Sequence, residues 1–286
     1  MANAQSFFQR QIALRIMTNR LITIITLWLA AATAMAAGNV EAELQRLEQM
    51  QQDDAVAALG AKLDSAQDAG KKQYVAYCKE VEDLTASPES PQHSEQLLMA
   101  LLHHQLNSPL LDEEDKTRPR FLLQDASKNQ IGSTATDVDL MMKDGSATTL
   151  AHLAATAPIT LVYFSNPDCD ACQRVKQRME QAATVAEFTG SKLLNVVAIY
   201  TLDDKRLWQS STMPPFVTDT WNYTQKIFDE ETYVLPSTPL FYIVDSNMTV
   251  LMKNEASLNR VETALRRLML SSDNRPQQLS RLLFRH

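Results

Sequence analysis

Ile159-Thr160-Leu161-Val162-Tyr163-Phe164-Ser165-Asn166-Pro167-Asp168-Cys169-Asp170-Ala171-Cys172 is the stretch whose reading decides the fold. A β-forming apolar run meets a break at Ser165 to Asp168, and a helical pattern follows. Two thiols three residues apart in the first turn of a helix lie on one face, close enough to form a small-ring disulfide. The positive end of the helix favours thiolate at Cys169. This is the layout of a redox-active dithiol. A C-x-x-C pair is also half of a zinc site. The third cysteine, Cys78, lies far upstream, and the nearest histidine, His152, precedes the strand. A zinc site would have to borrow Cys78 and His103 or His104. An inert disulfide staple is the other alternative.

A second motif stands downstream. Leu235-Pro236-Ser237-Thr238-Pro239 runs into Leu240-Phe241-Tyr242-Ile243-Val244-Asp245. A Thr-Pro step opening a strand is a place for a cis proline, and proline there removes no needed ladder bond. An ordinary trans proline at a strand edge is the alternative. Ser246-Asn247 reads as a turn, and Met248-Thr249-Val250-Leu251-Met252 as the return strand of a hairpin. Ser257 then precedes an amphipathic helix with Leu258, Val261, Leu265 and Leu268 on one face.

With both motifs in view, residues 131–270 resemble a thioredoxin-fold domain, in particular the TlpA/ResA-like branch of extracytoplasmic bacterial thiol-disulfide oxidoreductases. The segment Phe164 to Cys172, the Thr238-Pro239 step, the closing hairpin and the last helix carry the resemblance. So does the lead-in: Ala135-Thr136-Asp137-Val138-Asp139-Leu140, a turn at Asp144-Gly145 and a short helix from Leu150. The resemblance implies a central mixed sheet flanked by helices, an α/β fold. It also implies Cys169 as the attacking thiol and Cys172 as the resolving one. Thr238 and cis-Pro239 would offer backbone to an extended substrate. No cofactor is implied, because the two sulfurs carry both electrons. The pattern departs from thioredoxin at two points. Asp168 replaces a tryptophan before the first cysteine, and Tyr163 stands where a buried carboxylate serves the second cysteine's proton. Residues 202–235 form an insert, where TlpA-like proteins carry an extra helical piece.

The ends of the chain add a location. Arg10, Arg15 and Arg20 precede an apolar run at residues 21–32, and Ala34-Met35-Ala36 reads as a cleavage site. Residues 1–36 are expected to be a secretory signal peptide, with Met17 a possible start. The run is short for a bilayer span, which needs about 20 apolar residues. No lipid-anchor cysteine follows, so the mature chain is expected to be periplasmic or secreted, without a stable membrane span. Three cysteines in 286 residues do not make a disulfide scaffold.

Residues 38–127 read as a small all-helical domain. Val40, Leu44 and Leu47 begin an apolar stripe, a Ser87-Pro88-Glu89-Ser90-Pro91 break interrupts it, and Asp112 to Arg120 reads as a charged connector. Residues 38–130 hold 17 acidic and 9 basic residues, against 17 and 15 from residue 131 onward. That excess argues against nucleic acid as a partner. Residues 271–286 read as a polar, basic tail. Cys78 is expected to be a buried single thiol, Trp208 and Trp221 packing anchors, and Met141 and Met142 a core residue and its exposed neighbour.

The functional expectation is an extracytoplasmic thiol-disulfide oxidoreductase acting on protein thiols and disulfides, supplied by an upstream electron donor. Asp170, a carboxylate between the cysteines, disfavours thiolate and so favours a reductase. An adaptor with a redox-inert disulfide is the competing reading. A peroxidase is disfavoured, because Ser165-Asn166-Pro167 does not supply the peroxiredoxin spacing.

Overall fold

The computed structural model describes residues 40–272, with side chains through residue 269. The expected signal peptide and the tail beyond residue 272 lie outside the described residues. Five helices come first: α1 (residues 40–47), α2 (Gln52–Asp68), α3 (Lys71–Thr85), α4 (Glu95–Asn107) and α5 (Thr117–Ala126). Their apolar stripes meet in one core of Val40, Leu44, Leu47, Leu59, Leu63, Tyr74, Cys78, Val81, Leu97 and Leu101. Ser94 starts α4 by accepting the Leu97 amide at 3.3 Å. The segment from Asp112 to Arg120 differs from the expected connector. Its second half enters α5, with Pro119 in the first turn, where a missing amide proton costs no helical bond.

The remainder is a seven-stranded mixed sheet with flanking helices. Its elements are β1 (Asp139–Met142), β2 (Ala147–Thr149), α6 (Leu150–Ala154), β3 (Ile159–Ser165), α7 (Asp170–Gln181), α8 (Ala183–Gly190), β4 (Leu194–Tyr200), α9 (Lys205–Ser210), β5 (Val217–Trp221), α10 (Lys226–Asp229), β6 (Leu240–Asp245), β7 (Val250–Glu255) and α11 (Leu258–Ser272). The strand order is β2-β1-β5-β4-β3-β6-β7. β3, β4 and β5 are parallel, and β6 runs antiparallel to β3 with Phe164 opposite Leu240. Gly145, at φ 87°, turns the β1–β2 hairpin in a conformation that favours glycine.

β3 is buried at all seven positions, which is why it reads as a continuous apolar run rather than an alternating one. Leu161 and Tyr163 face one core with Val175, Met179, Leu258, Val261 and Leu265. Val162 and Phe164 face the other, with Leu140, Leu150, Val197, Ile199 and Tyr242. The insert at residues 202–235 is not a simple helical addition. It contributes β5 to the sheet, between β4 and β1, as well as the short helices α9 and α10. Trp208 and Trp221 pack there with Tyr200. Met141 and Met142 are both half-buried, and Leu140 is the core residue of β1.

The helical layer packs against the end of β7. Lys253 donates to the carbonyls of Ala126 at 2.8 Å and Lys128 at 2.9 Å, and pairs with Glu95 at 3.4 Å. Asn254 also donates to Glu95. Backbone groups of that edge near Val250, which would otherwise invite pairing with another chain, bond residues 132–134. Among the described residues, no helix is long and apolar enough to cross a membrane.

Candidate redox site

The carboxyl ends of the parallel strands collect the residues singled out from the sequence. β3 ends at Ser165, and Asn166-Pro167-Asp168 turns the chain into α7. Cys169 is the N-cap, with extended backbone (φ −91°, ψ 113°), and its sulfur accepts the Cys172 amide at 3.3 Å. A sulfur therefore takes the role a serine or aspartate oxygen usually has in satisfying a first-turn amide.

β6 starts on the neighbouring position, so Thr238-Pro239 arrives at the same edge. The Thr238–Pro239 bond is cis. The Thr238 carbonyl lies 3.4 Å from the Cys169 sulfur, placed to accept from the thiol. Cys169, Cys172, Thr238 and Pro239 are thus brought together. Cys78 is not: it sits in the helical core, where burial pushes its thiol up to about 12. His104 hydrogen-bonds Tyr74 at 2.8 Å and Asp64 at 3.1 Å, both within the helical layer. Among the described residues, no group of three or more His, Cys, Asp or Glu is placed to hold a metal.

The two thiols have different surroundings. Cys169 is partly exposed and Cys172 is 3% exposed. Partial burial works to raise the Cys169 thiol. Hydrogen bonds from Cys172, the Cys172 and Ala171 amides and the Thr238 hydroxyl outweigh it, and hold the group below the usual thiol range. Cys172 is pushed up to about 11, first by burial and then by its bond to Cys169. Asp170 is exposed at the first position of α7.

Tyr163 is buried beneath the pair and donates to the Cys172 carbonyl at 2.9 Å. Burial drives its phenol well above the ordinary value, so it stays protonated. The sequence did not reveal a second support. Asn166 donates to the Thr238 hydroxyl at 3.2 Å and accepts from Thr201 at 2.9 Å. This chain of three side chains ties the ends of β3 and β4 to the start of β6. In the sequence Asn166 is only part of a turn, and nothing local marks it as a cross-strand link.

No protein-family model and no curated protein matches the chain. Among solved structures, a thioredoxin-like protein from Bacteroides caccae superposes with a TM-score of 0.75 at 23% identity, over 82% of this chain and 84% of that one. The C-terminal domain of an uncharacterized Bacteroides fragilis protein is 27% identical over 49% of this chain and 99% of its own, with a TM-score of 0.47. The thioredoxin domain of a Bacteroides vulgatus thiol-disulfide oxidoreductase is 16% identical over 48% of this chain and 98% of its own, with a TM-score of 0.38. The likeness to the Bacteroides caccae structure extends well beyond the sheet-bearing half, and with the strand order and the flanking helices it identifies the chain as a thioredoxin-like fold preceded by a layer of helices.

Proposed function

We propose that this protein is an extracytoplasmic thiol-disulfide oxidoreductase whose working pair is Cys169 and Cys172. The observation that carries the reading is the asymmetry of the two sulfurs: one partly exposed and stabilised as thiolate, the other buried and held as thiol. In the reducing direction the Cys169 thiolate attacks a substrate disulfide, forming a mixed disulfide and releasing one substrate thiolate, which takes a proton from water. Cys172 then gives its proton to the hydroxide left by that water and attacks the Cys169 sulfur. The second substrate thiolate leaves, and the pair is left as a disulfide. Two electrons have passed to the substrate, and an upstream dithiol restores the pair. Thr238 and Pro239 lie beside Cys169, where an extended substrate segment would dock by its backbone.

The charge of Asp170 favours the reducing direction, since a nearby negative charge disfavours thiolate, but the donors around Cys169 outweigh it and hold that thiol below its usual range. The helix N-terminus and the amides at Cys169 act the other way, and the reduction potential decides between them. The extracytoplasmic location rests on the leader-like residues 1–36.

Insulin reduction tests the reading. The wild type should accelerate it in the presence of a dithiol donor, and Cys169→Ser should abolish the acceleration. A competing reading is an adaptor with an inert disulfide, favoured by Tyr163 in place of a carboxylate near Cys172. A wild type no faster than the donor alone would favour that adaptor.

A further inference from the structure

The segment leading to Thr238 has little backbone support. Among the described residues, no backbone amide from Tyr233 to Thr238 makes a hydrogen bond. Side chains hold it instead. The Tyr233 hydroxyl donates to the Thr136 carbonyl at 2.7 Å, Asn166 donates to the Thr238 hydroxyl, and the Ser237 hydroxyl donates to Glu89. Glu89 belongs to the helical layer, 148 positions away in sequence. Its other carboxylate oxygen accepts from Ser87 at 2.8 Å. Its loop is itself braced from the sheet side. Arg260 donates to the carbonyls of Pro91 at 2.8 Å, Ser90 at 3.2 Å and Pro88 at 3.4 Å, and pairs with Glu255 at 2.7 Å. A rigid loop of one layer therefore holds the residue next to Thr238, and Thr238 faces the Cys169 sulfur.

We propose that Glu89 is a positioning residue for the dithiol: by accepting the Ser237 hydroxyl it fixes the Ser237–Thr238 backbone against Cys169 and so couples the helical layer to thiol reactivity. This rests on the exchange function proposed above, but its primary readout does not. The Thr238 hydroxyl is among the groups that favour the Cys169 thiolate, whereas the Thr238 carbonyl, accepting from the thiol, favours the protonated form. Loosening the segment withdraws that hydroxyl from the sulfur and raises the pH at which Cys169 ionises. Removing a negative charge alone would lower that pH, so the two effects have opposite signs.

The experiment is the pH profile of Cys169 alkylation, followed by mass spectrometry, in Glu89→Ala, Ser237→Ala and Glu89→Gln. Glu89→Ala and Ser237→Ala should both move the profile to higher pH and slow alkylation at neutral pH about threefold or more. Glu89→Gln, which keeps the acceptor oxygen and loses the charge, should stay within about twofold of wild type. The double Ala variant should be no slower than either single one, because both remove the same bond. Unmoved profiles in both Ala variants, or a shift to lower pH in Glu89→Ala and Glu89→Gln alike, would overturn the proposal. The kcat/KM for insulin, measured in parallel, should fall with the alkylation rate. A wild type inactive on insulin would sink the exchange function, while the alkylation profiles would still decide the role of Glu89.

Discussion

Cys169 and Cys172 are three residues apart, yet one is solvated and surrounded by donors and the other is buried. With the Cys169 thiol below its usual range and Cys172 near 11, alkylation at neutral pH should run about tenfold or more faster at Cys169. Peptide mapping after timed alkylation reads this, and equal or inverted rates would contradict the assignment. Tyr163 gives a second prediction. Its phenol stays protonated and donates to the Cys172 carbonyl, so it serves as a support. Tyr163→Phe should lower stability by about 0.5–1.5 kcal/mol while exchange activity and its pH profile stay within twofold. A shifted pH profile would show that the phenol takes part in the proton transfer. At this scale the sequence disclosed the cysteines and the Thr-Pro step, because their chemistry is carried by residue type and spacing. Asn166, Thr201 and Glu89 were not legible. Their roles exist only after distant segments have been brought together.

Among the elements, the long apolar runs were the most legible. β3 and β6 are buried on both faces, so their sequences have no other good place to go. β5 was missed because Val217-Thr218-Asp219-Thr220-Trp221 interrupts its apolar residues with three polar ones. Tertiary contacts absorb those groups. Thr220 donates to the Ala198 carbonyl at 2.8 Å, and Asp219 accepts the Trp208 indole at 2.9 Å and pairs with Lys143 at 3.1 Å. Lys143 also lies over the Trp208 ring, 4.5 Å from its centroid. Trp208, 1% exposed, therefore pins α9 to β5 and to the β1–β2 hairpin. Trp208→Ala should cost about 3–5 kcal/mol by denaturant unfolding. A loss under about 1 kcal/mol would show that this cluster is a surface feature and not a core.

Across the whole molecule, the helices and the sheet form one body joined by buried polar groups. Composition announced a helical, acidic N-terminal region, but not that it would bind the end of β7 and α11 through Glu95, Lys253, Asn254 and Arg260. Arg260 serves three carbonyls and Glu255. Arg260→Met should cost about 1.5–3 kcal/mol, because Glu255 would be left buried without its partner. A stability unchanged in this variant would show that the brace contributes nothing. His93 sits at the same junction, bonded to the Thr85 carbonyl at 2.9 Å and facing Glu95, Glu255 and Arg260. Burial outweighs the carboxylates and lowers its pKa in the folded protein. The unfolded chain then binds a proton that the folded chain resists, so stability should fall as pH drops below about 6.5. His93→Gln should flatten that part of the denaturant-midpoint profile, and an unchanged slope would assign the acid loss to other groups. The central claim is that Cys169 and Cys172 form a reversible two-electron couple, and equilibration with thiol-disulfide redox buffers, read by mass after trapping free thiols, tests it most directly. The account predicts one transition confined to Cys169 and Cys172, with Cys78 a thiol throughout, at a potential between about −120 and −300 mV. A pair that stays fully oxidised or fully reduced across that range, or a transition that draws in Cys78, would contradict it.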